Sequence, residues 1–389
     1  MSLDNPKIKK VIRDRSLYMC LECGKCSASC PRMLTGKEYS PRLLAQKLIA
    51  EPEDEAFIEN SVWECLTCGL CEERCPSGVE FSRFILEMRT ILAGTQGLKG
   101  YRAHDGALHS WMRMMTSPEL KQSRLDWIPP DLKVTKSGPL AFFIGCAPYF
   151  DIFFAGIDVN TLSIARDSIQ LLNFLDIKPV ILGEERCCGH DLLWTGDREN
   201  FETLCRLNYE EFKSAGVEEV VVSCPECFQV LSQFMPEVIP EFLLIDLLER
   251  EIHKGGLSFK PLKRKVTYQD PCRLGRMTGH VDGPRNLLKM IPDLTLKEME
   301  NAGRSAICCG NNGFINCDAY SKKIQIERLK EAKESRPPGH RLSQMYDPYD
   351  LRHARSNPGR IIFHGNSGSG ECAGGSNRVV RRCEIYQVK

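Results

Sequence analysis

The sequence has 389 residues, of which 42% are hydrophobic and 26% are charged, with a formal net charge of +1. This length is enough for two or three domains with hydrophobic cores, and the near-neutral charge gives no reason to expect nucleic acid or an anionic membrane surface as the main partner. The N-terminus has no apolar segment, and no run approaches about eighteen apolar residues, so we expect neither a secretory signal nor a membrane span.

Cysteine is the unusual component, with twenty residues. Without a secretory signal we expect a cytoplasmic location, where thiols stay reduced and a disulfide framework does not form. Metal ligation is therefore the expected use of these clustered thiols.

Residues 1–105 predict an α-helical domain. Pro41 suits the first turn of a helix, and apolar residues at helical spacing over 84–92 indicate another helix with Gly94 as its expected end. Residues 106–137 are predicted to be a connector, because they end in sequence rich in proline and glycine.

From residue 138 the pattern changes to short apolar runs that alternate with helical segments, which is typical of α/β structure. Buried strands are predicted at 140–144, 180–182, 220–222 and 266–268, and helices near 159–175 and 198–215. Each strand leads into a cysteine motif, and the motifs recur at a nearly constant offset. The sequence therefore predicts an internal duplication, with one unit at 138–260 and a truncated copy at 261–335.

The first domain contains two runs of the form C-x-x-C-x-x-C-x-x-x-C-P. Such runs hold two cubane 4Fe–4S clusters, and the fourth cysteine of each run ligates the other cluster. One predicted ligand set is Cys20, Cys23, Cys26 and Cys75, and the other is Cys65, Cys68, Cys71 and Cys30. Two structural zinc sites are the alternative, but zinc gives no reason for a doubled run of this kind.

The α/β units carry a second type of cysteine motif. The first unit has Cys146, the vicinal pair Cys187-Cys188 followed by glycine, and the C-x-x-C of Cys224 and Cys227. The copy has only Cys272, Cys308 and Cys309. Vicinal cysteines suit a cluster of several irons better than one zinc ion, because adjacent side chains diverge. Buried apolar thiols are the alternative, which does not explain the same order in two copies.

This arrangement resembles the catalytic D subunit of heterodisulfide reductase and its relatives, which include the iron–sulfur subunits of glycolate, lactate and glycerol-3-phosphate dehydrogenases. The resemblance covers about residues 1–335. It implies an α+β multidomain fold, with an α-helical ferredoxin-like two-cluster domain followed by two repeated α/β cysteine-rich (CCG) units. It further implies a non-cubane 4Fe–4S cluster on each complete motif, here on Cys146, Cys187, Cys188, Cys224 and Cys227. Cys272, Cys308 and Cys309 are the candidate ligands of a second one.

The resemblance implies an enzyme that passes electrons through the cubanes to the non-cubane site and reduces a disulfide there. Cys187, Cys188 and His190 are the expected catalytic residues, with His190 placed to donate a proton to a departing thiolate. The alternative is an electron-transfer subunit of a flavin-dependent dehydrogenase or of a membrane redox complex. No dinucleotide fingerprint for a flavin is evident, so either role requires a redox partner. The expected partner is a flavoprotein, a hydrogenase or a b-type cytochrome. Through such a partner the chain would be peripheral to a membrane.

Other residues near the motifs have two interpretations each. Arg273 and Arg276 suit an anionic substrate group or surface salt bridges, and Asp191 suits proton transfer or a hydrogen bond to the site. Cys205 and Cys317 lie outside the motifs and are expected to be packed thiols. Core or surface positions are expected for three residues near the connector, although a partner contact is the alternative: His104, His109 and Trp111.

The copy lacks a C-x-x-C, and from about residue 336 the sequence loses apolar periodicity and gains arginine and glycine. A disordered tail is one interpretation. A second hypothesis is a change of reading frame, because residues 342–346 read one base later are able to encode C-P-[K/R]-C where the repeat requires it. We assign no role to Cys372 and Cys383 in this tail.

Overall fold

The structure is a computed structural model that describes residues 5–50, 55–96, 102–122, 124–157, 160–235 and 241–334. The tail at 336–389, with the proposed frame change, Cys372 and Cys383, lies outside these residues.

Within the described residues, helices make up most of the first domain. They are α1 Pro6–Asp14, α2 Lys25–Ser29, α3 Pro31–Leu34, α4 Pro41–Ala50, α5 Glu55–Glu64, α6 Leu70–Glu73 and α7 Phe81–Gln96. Ile8, Leu44 and Phe84 are fully buried in their shared core. The predicted helix end at Gly94 is wrong. A Cβ there would contact nothing within 4 Å, and a glycine costs a helix only about 1 kcal/mol, so α7 continues past it.

The connector contains a helix of its own, α8 Ala107–Met114. His109 is fully buried on this helix, so its core position is confirmed. His104 is exposed, and Trp111 packs on Tyr149 with 4.7 Å between ring centroids. The connector is therefore packed against the α/β structure that follows.

A parallel three-stranded sheet forms the centre of the first α/β unit. Its strands are β1 Leu140–Phe143, β2 Glu219–Val222 and β3 Glu241–Leu243, in the order β1-β2-β3. The flanking helices are α9 Ala147–Phe153, α10 Thr161–Phe174, α11 His190–Trp194, α12 Arg198–Ser214, α13 Pro225–Gln233 and α14 Leu244–His253. The predicted helices near 159–175 and 198–215 are confirmed as α10 and α12.

The predicted strand at 180–182 is wrong in extent. Only Val180 pairs, through isolated parallel bridges to Ala141 and Thr135. This segment still lies at the sheet edge beside β1, because Val180 donates to the carbonyl of Leu140 at 2.8 Å. Its chain then turns away into the loop that carries the vicinal cysteines.

The second α/β unit is smaller. Strands β4 Arg264–Val266 and β5 Leu294–Leu296 are parallel, and the helices are α15 Cys272–Gly275, α16 Gly283–Lys289 and α17 Ala319–Glu334. The predicted strand at 266–268 overlaps β4 only at Val266, because pairing with β5 begins at the more polar residues before it. Both units place a parallel strand before a cysteine loop, as the duplication predicts.

The first domain packs directly on both units. Gly196 has φ +84° after α11, and a Cβ there would lie 2.5 Å from the backbone of Arg89 in α7. Only glycine allows this close approach. On the other side, Arg32 of α3 forms an ion pair with Asp318 at 2.7 Å. In the described ranges, no helix has both the length and the apolar character needed to cross a bilayer.

Candidate metal centre

A small cavity lies inside the first domain. Its walls contain four thiols, those of Cys30, Cys65, Cys68 and Cys71. Cys30 comes from the first cysteine run and the other three from the second. A cavity with four thiols in its wall fits a cubane cluster, and its ligand set is the one that the crossed pairing of the two runs predicts.

The thiols of the other predicted set lie nearer the surface. Burial raises the pKa of Cys26, and the neighbouring sulfurs of Cys20 and Cys75 raise it further. Cys23 is exposed. The structure thus brings Cys20, Cys26 and Cys75 together, and the set has one edge open to solvent.

The five cysteines of the first α/β unit form one continuous group. Cys146 follows β1 and Cys224 follows β2, and the carboxyl ends of neighbouring parallel strands share one edge of the sheet. The Cys187 thiol lies beside those of Cys146 and Cys188, and these neighbours lower the pKa of Cys187 well below its usual value. The free thiols of Cys188 and Cys224 in turn lie beside that of Cys227 and raise its pKa. The group is therefore a sulfur-rich pocket for metal at the edge of the sheet.

Backbone N–H groups point at several of these sulfurs. Gly189 donates to Sγ of Cys187 and Gly310 to Sγ of Cys308, both at 3.4 Å. Thr67 donates to Sγ of Cys65 at 3.2 Å. Such bonds favour the thiolate form that iron binds.

A buried ion pair holds the first cysteine loop in place. Glu185 accepts the backbone N–H of Gly145 at 2.6 Å and pairs with Arg124 at 2.9 Å. Arg124 also donates to the carbonyl of Gly145 at 2.9 Å. Burial raises the pKa of Glu185 to about 7, against the opposite effect of Arg124. The pair joins the connector to the loops of both Cys146 and Cys187.

The three cysteines of the second unit lie against the first domain. The Cys308 thiol lies beside those of Cys309 and Cys68, which raise its pKa, and Cys272 lies near Cys309 and Cys68. The described residues supply no further cysteine to this group from the second unit. The structure therefore places the incomplete motif beside the wall of the first domain's cavity.

His190 is buried between the two units. Its Nδ1 lies 2.7 Å from Asp191, and Arg273 donates to its Nε2 at 2.9 Å. Because arginine only donates, Nε2 is the acceptor and the proton lies on Nδ1. Burial lowers the pKa of His190 to about 4, so the ring is neutral. Glu226 is also near, but both ring nitrogens are already engaged, so the three side chains do not form a cation site as they stand.

Arg273 links this histidine to the first domain. It donates to the carbonyl of Thr67 at 2.8 Å and to its hydroxyl at 2.9 Å. Thr67 donates in turn to Asn312, which donates to the carbonyl of Cys65. Arg273 is 4% exposed and bonded within the protein, so the surface salt bridge expected from sequence is wrong, while its binding of an anionic substrate group stays a prediction. Of the thiols outside the motifs, Cys205 is packed as predicted.

Several supporting residues are not evident from sequence alone. Thr67 and Asn312 lie inside or just after a cysteine motif, so a polar side chain at those positions is the available signal. Arg89, Arg124 and Glu185 lie outside the motifs or beside them, and their roles depend on contacts between distant segments.

Comparison with protein families finds two kinds of domain in the chain. A 4Fe-4S dicluster domain matches residues 16–79. A cysteine-rich domain matches twice, at 140–232 and 266–338, which confirms the duplication. No solved structure matches the chain.

Three curated relatives show the range of similar proteins. The D subunit of the dihydromethanophenazine:CoB–CoM heterodisulfide reductase of Methanosarcina mazei is 31% identical over 54% of this chain and 53% of the relative. An uncharacterized iron–sulfur protein of Methanocaldococcus jannaschii is 29% identical over 79% of this chain and 61% of the relative. A probable glycolate oxidase iron–sulfur subunit of Bacillus subtilis is 25% identical over 84% and 86%. The chain spans about half the length of the heterodisulfide reductase relatives that it matches.

Proposed function

Because this chain is an iron–sulfur electron-transfer protein related to the D subunit of heterodisulfide reductase and to a glycolate oxidase iron–sulfur subunit, we propose that it reduces a disulfide at the cysteine group of its first α/β unit. Electrons from a redox partner reach that group through two cubane clusters in the first domain. The overall reaction adds two electrons and two protons to the disulfide and releases two thiols.

The continuous group of five cysteines in the first unit carries this proposal. Bound there, a 4Fe–4S cluster would supply one-electron chemistry and an iron atom able to hold a sulfur ligand. The protein supplies the ligands: Cys146, Cys187, Cys188, Cys224 and Cys227. Five thiols exceed the four irons of one cluster, so the set leaves room for an irregular, non-cubane arrangement.

The positions of the cysteine groups support an order for electron entry. The set containing Cys23 has an edge in solvent, where a partner is able to approach. The set around the cavity is buried and lies against the second unit, through Cys68 and Cys308. The route therefore begins at the exposed set and continues inward.

His190 has a positioning role in this proposal and is not the proton donor. Its single ring proton is directed at Asp191, and burial with a guanidinium on Nε2 keeps the ring neutral. The protons for the two product thiols therefore come from other groups or from solvent.

A carrier role without substrate chemistry is the second candidate. It is favoured by the second unit, whose cysteine group contains only Cys272, Cys308 and Cys309 within the described residues, and by the relative from Bacillus subtilis, which this chain matches over most of its length. In that case the chain would be the electron-transfer subunit of a flavin-dependent 2-hydroxyacid or glycerol-3-phosphate dehydrogenase, or of a membrane redox complex.

An assay with a reduced viologen dye separates the two candidates. Protein purified without oxygen is mixed with the dye and with the coenzyme M–coenzyme B heterodisulfide, a representative disulfide. Disulfide-dependent dye oxidation that is lost in Cys187→Ser and kept in Cys205→Ser supports the enzyme, since Cys205 is a packed thiol of the same unit outside the group. Cluster reduction by the dye without turnover of disulfides supports the carrier.

A further inference from the structure

Three arginines surround the loop from Cys65 to Cys68 and bond only to neutral groups. Arg89 is fully buried and donates to the carbonyls of Val62, Trp63, Cys65 and Trp194 at 2.7 to 3.3 Å. Burial lowers the pKa of Arg89 to about 10, so it keeps its charge at neutral pH. The second arginine is Arg273, whose acceptors are Thr67, His190 and the sulfur of Met277.

Arg276 is the third member of this group. It donates to the carbonyls of Cys68, Arg304 and Ala306. Its Nη2 is buried and has no hydrogen-bond partner within the described part of the chain. Its strongest attractive neighbours are the sulfurs of Cys68, Cys272 and Cys308. An unsatisfied donor thus lies among cysteines.

These charges lack a carboxylate partner. None of the three arginines forms an ion pair with a carboxylate in the described ranges. Glu64, the carboxylate that acts on Arg89, already pairs with Arg32 and Lys37. Asp191 and Glu226 act on Arg273, and Glu73 acts on Arg276, but none of them forms an ion pair with these arginines. Buried charges without a directly paired counter-ion are expensive, so an anion in the cavity would stabilise them. Four thiolates outweigh the charge of an iron–sulfur core, so a cluster in the cavity is such an anion.

We propose that Arg89, Arg273 and Arg276 are the counter-charges of the cluster held by Cys30, Cys65, Cys68 and Cys71, and that they raise its reduction potential above that of the other cubane. Reduction adds a negative charge, which nearby cations stabilise, most strongly where water is excluded. No described arginine donates to the backbone of residues 20–26, and the cations beside the exposed set, Lys25 and Arg74, are exposed to solvent, which weakens their effect. The buried cluster is then the electron acceptor within the first domain. This inference rests on the proposed function, because it requires both cubanes.

Redox titration followed by EPR on the anaerobically purified protein tests the proposal. Cys23→Ser alters a ligand of the exposed cluster and so identifies its signal. We expect the buried cluster to have the higher potential in the wild type. Arg273→Gln should lower the equilibrium constant for reduction of the buried cluster about tenfold, which is 59 mV for one electron. The same constant of the exposed cluster should change by less than about twofold. Arg273→Lys keeps the charge and should restore most of the potential.

Two further variants complete the test. Arg276→Gln should lower the reduction potential of the buried cluster as well. This variant replaces Arg273→Gln in the test if Arg273→Gln fails to fold. Arg328→Gln is the matched control, because Arg328 is a buried arginine of the second unit that is already paired with Glu331. The inference would be overturned if the Arg273 and Arg276 variants had normal iron content and the reduction potentials of both clusters shifted equally. That result would leave the proposed function intact. Absence of either cubane from the wild type would instead refute the proposed function.

Discussion

Arg273 donates a hydrogen bond of 2.9 Å from its Nε to Nε2 of His190, and so joins the cysteine loops of the two α/β units. The residue before Arg273 is Cys272, and His190 follows the Cys187-Cys188-Gly189 loop. The same guanidinium lies 3.9 Å from the ring centroid of Trp194 and bonds to Thr67 of the first domain. Three cysteine motifs therefore meet at one buried cation.

The hydroxyl of Thr67 is predicted to be important for this junction. Thr67→Val keeps the shape but leaves Oδ1 of Asn312 and Nη2 of Arg273 each without its bond to the hydroxyl, which should cost about 1–3 kcal/mol of unfolding free energy. Thr67→Ser retains the hydroxyl and should cost much less. Denaturant unfolding under anaerobic conditions measures both. A loss in Thr67→Ser equal to that in Thr67→Val would show that the hydroxyl is no more important than the methyl group and would contradict the prediction.

Gly196 should tolerate no side chain. Gly196→Ala places a Cβ 2.5 Å from the backbone of Arg89 at φ +84°, and we expect a loss of about 3 kcal/mol or more, from strain and from separation of α7. Gly216 is the control, because it has φ +70° with nothing within 4 Å. Gly216→Ala should lose only about 1–2 kcal/mol. If thermal unfolding shows the same loss for both, the close approach of α7 is not what constrains Gly196.

The buried pair of Arg124 and Glu185 is predicted to hold the first cysteine loop. Arg124→Met leaves Glu185 buried without its cation and should cost about 3–5 kcal/mol. Adding Glu185→Gln removes that charge and keeps an oxygen for the N–H groups of Ile144 and Gly145, so the double variant should recover part of the loss. A double-mutant cycle on unfolding free energies measures the coupling. Simple additivity of the two substitutions would contradict a direct interaction.

The crossed ligand pairing predicts which EPR signal each variant changes. Cys30→Ser should alter the buried cluster, together with Cys65, Cys68 and Cys71, although Cys30 belongs to the first run. Cys75→Ser should alter the exposed one. If Cys30→Ser instead changes the same signal as Cys23→Ser, each run binds its own cluster and the crossed pairing fails.

Cysteine spacing and apolar runs predict much of this molecule. The strands at 140–144 and 220–222 are predicted correctly because both are buried and continuous in sequence. The predicted strand at 180–182 is too long, since an apolar run does not show how many residues find a partner. β3 escapes prediction because its few residues pair only in the context of the finished sheet.

The candidate site, too, is predictable from sequence only in part. The groups of thiols are predictable from local spacing, because ligands close in sequence share one loop. The arginines are not. Arg89 is separated from Trp194 by more than one hundred residues, and nothing in the local sequence of α7 shows that carbonyls of residues 62–65 and of another unit will surround it.

Iron and acid-labile sulfide analysis of protein made and purified without oxygen, with EPR of the reduced sample, tests whether these cysteines bind iron–sulfur clusters. We expect iron and sulfide sufficient for two cubanes and a further cluster in the first α/β unit, with two distinct cubane signals. Zinc in place of iron, or a colourless protein without sulfide, would contradict this expectation.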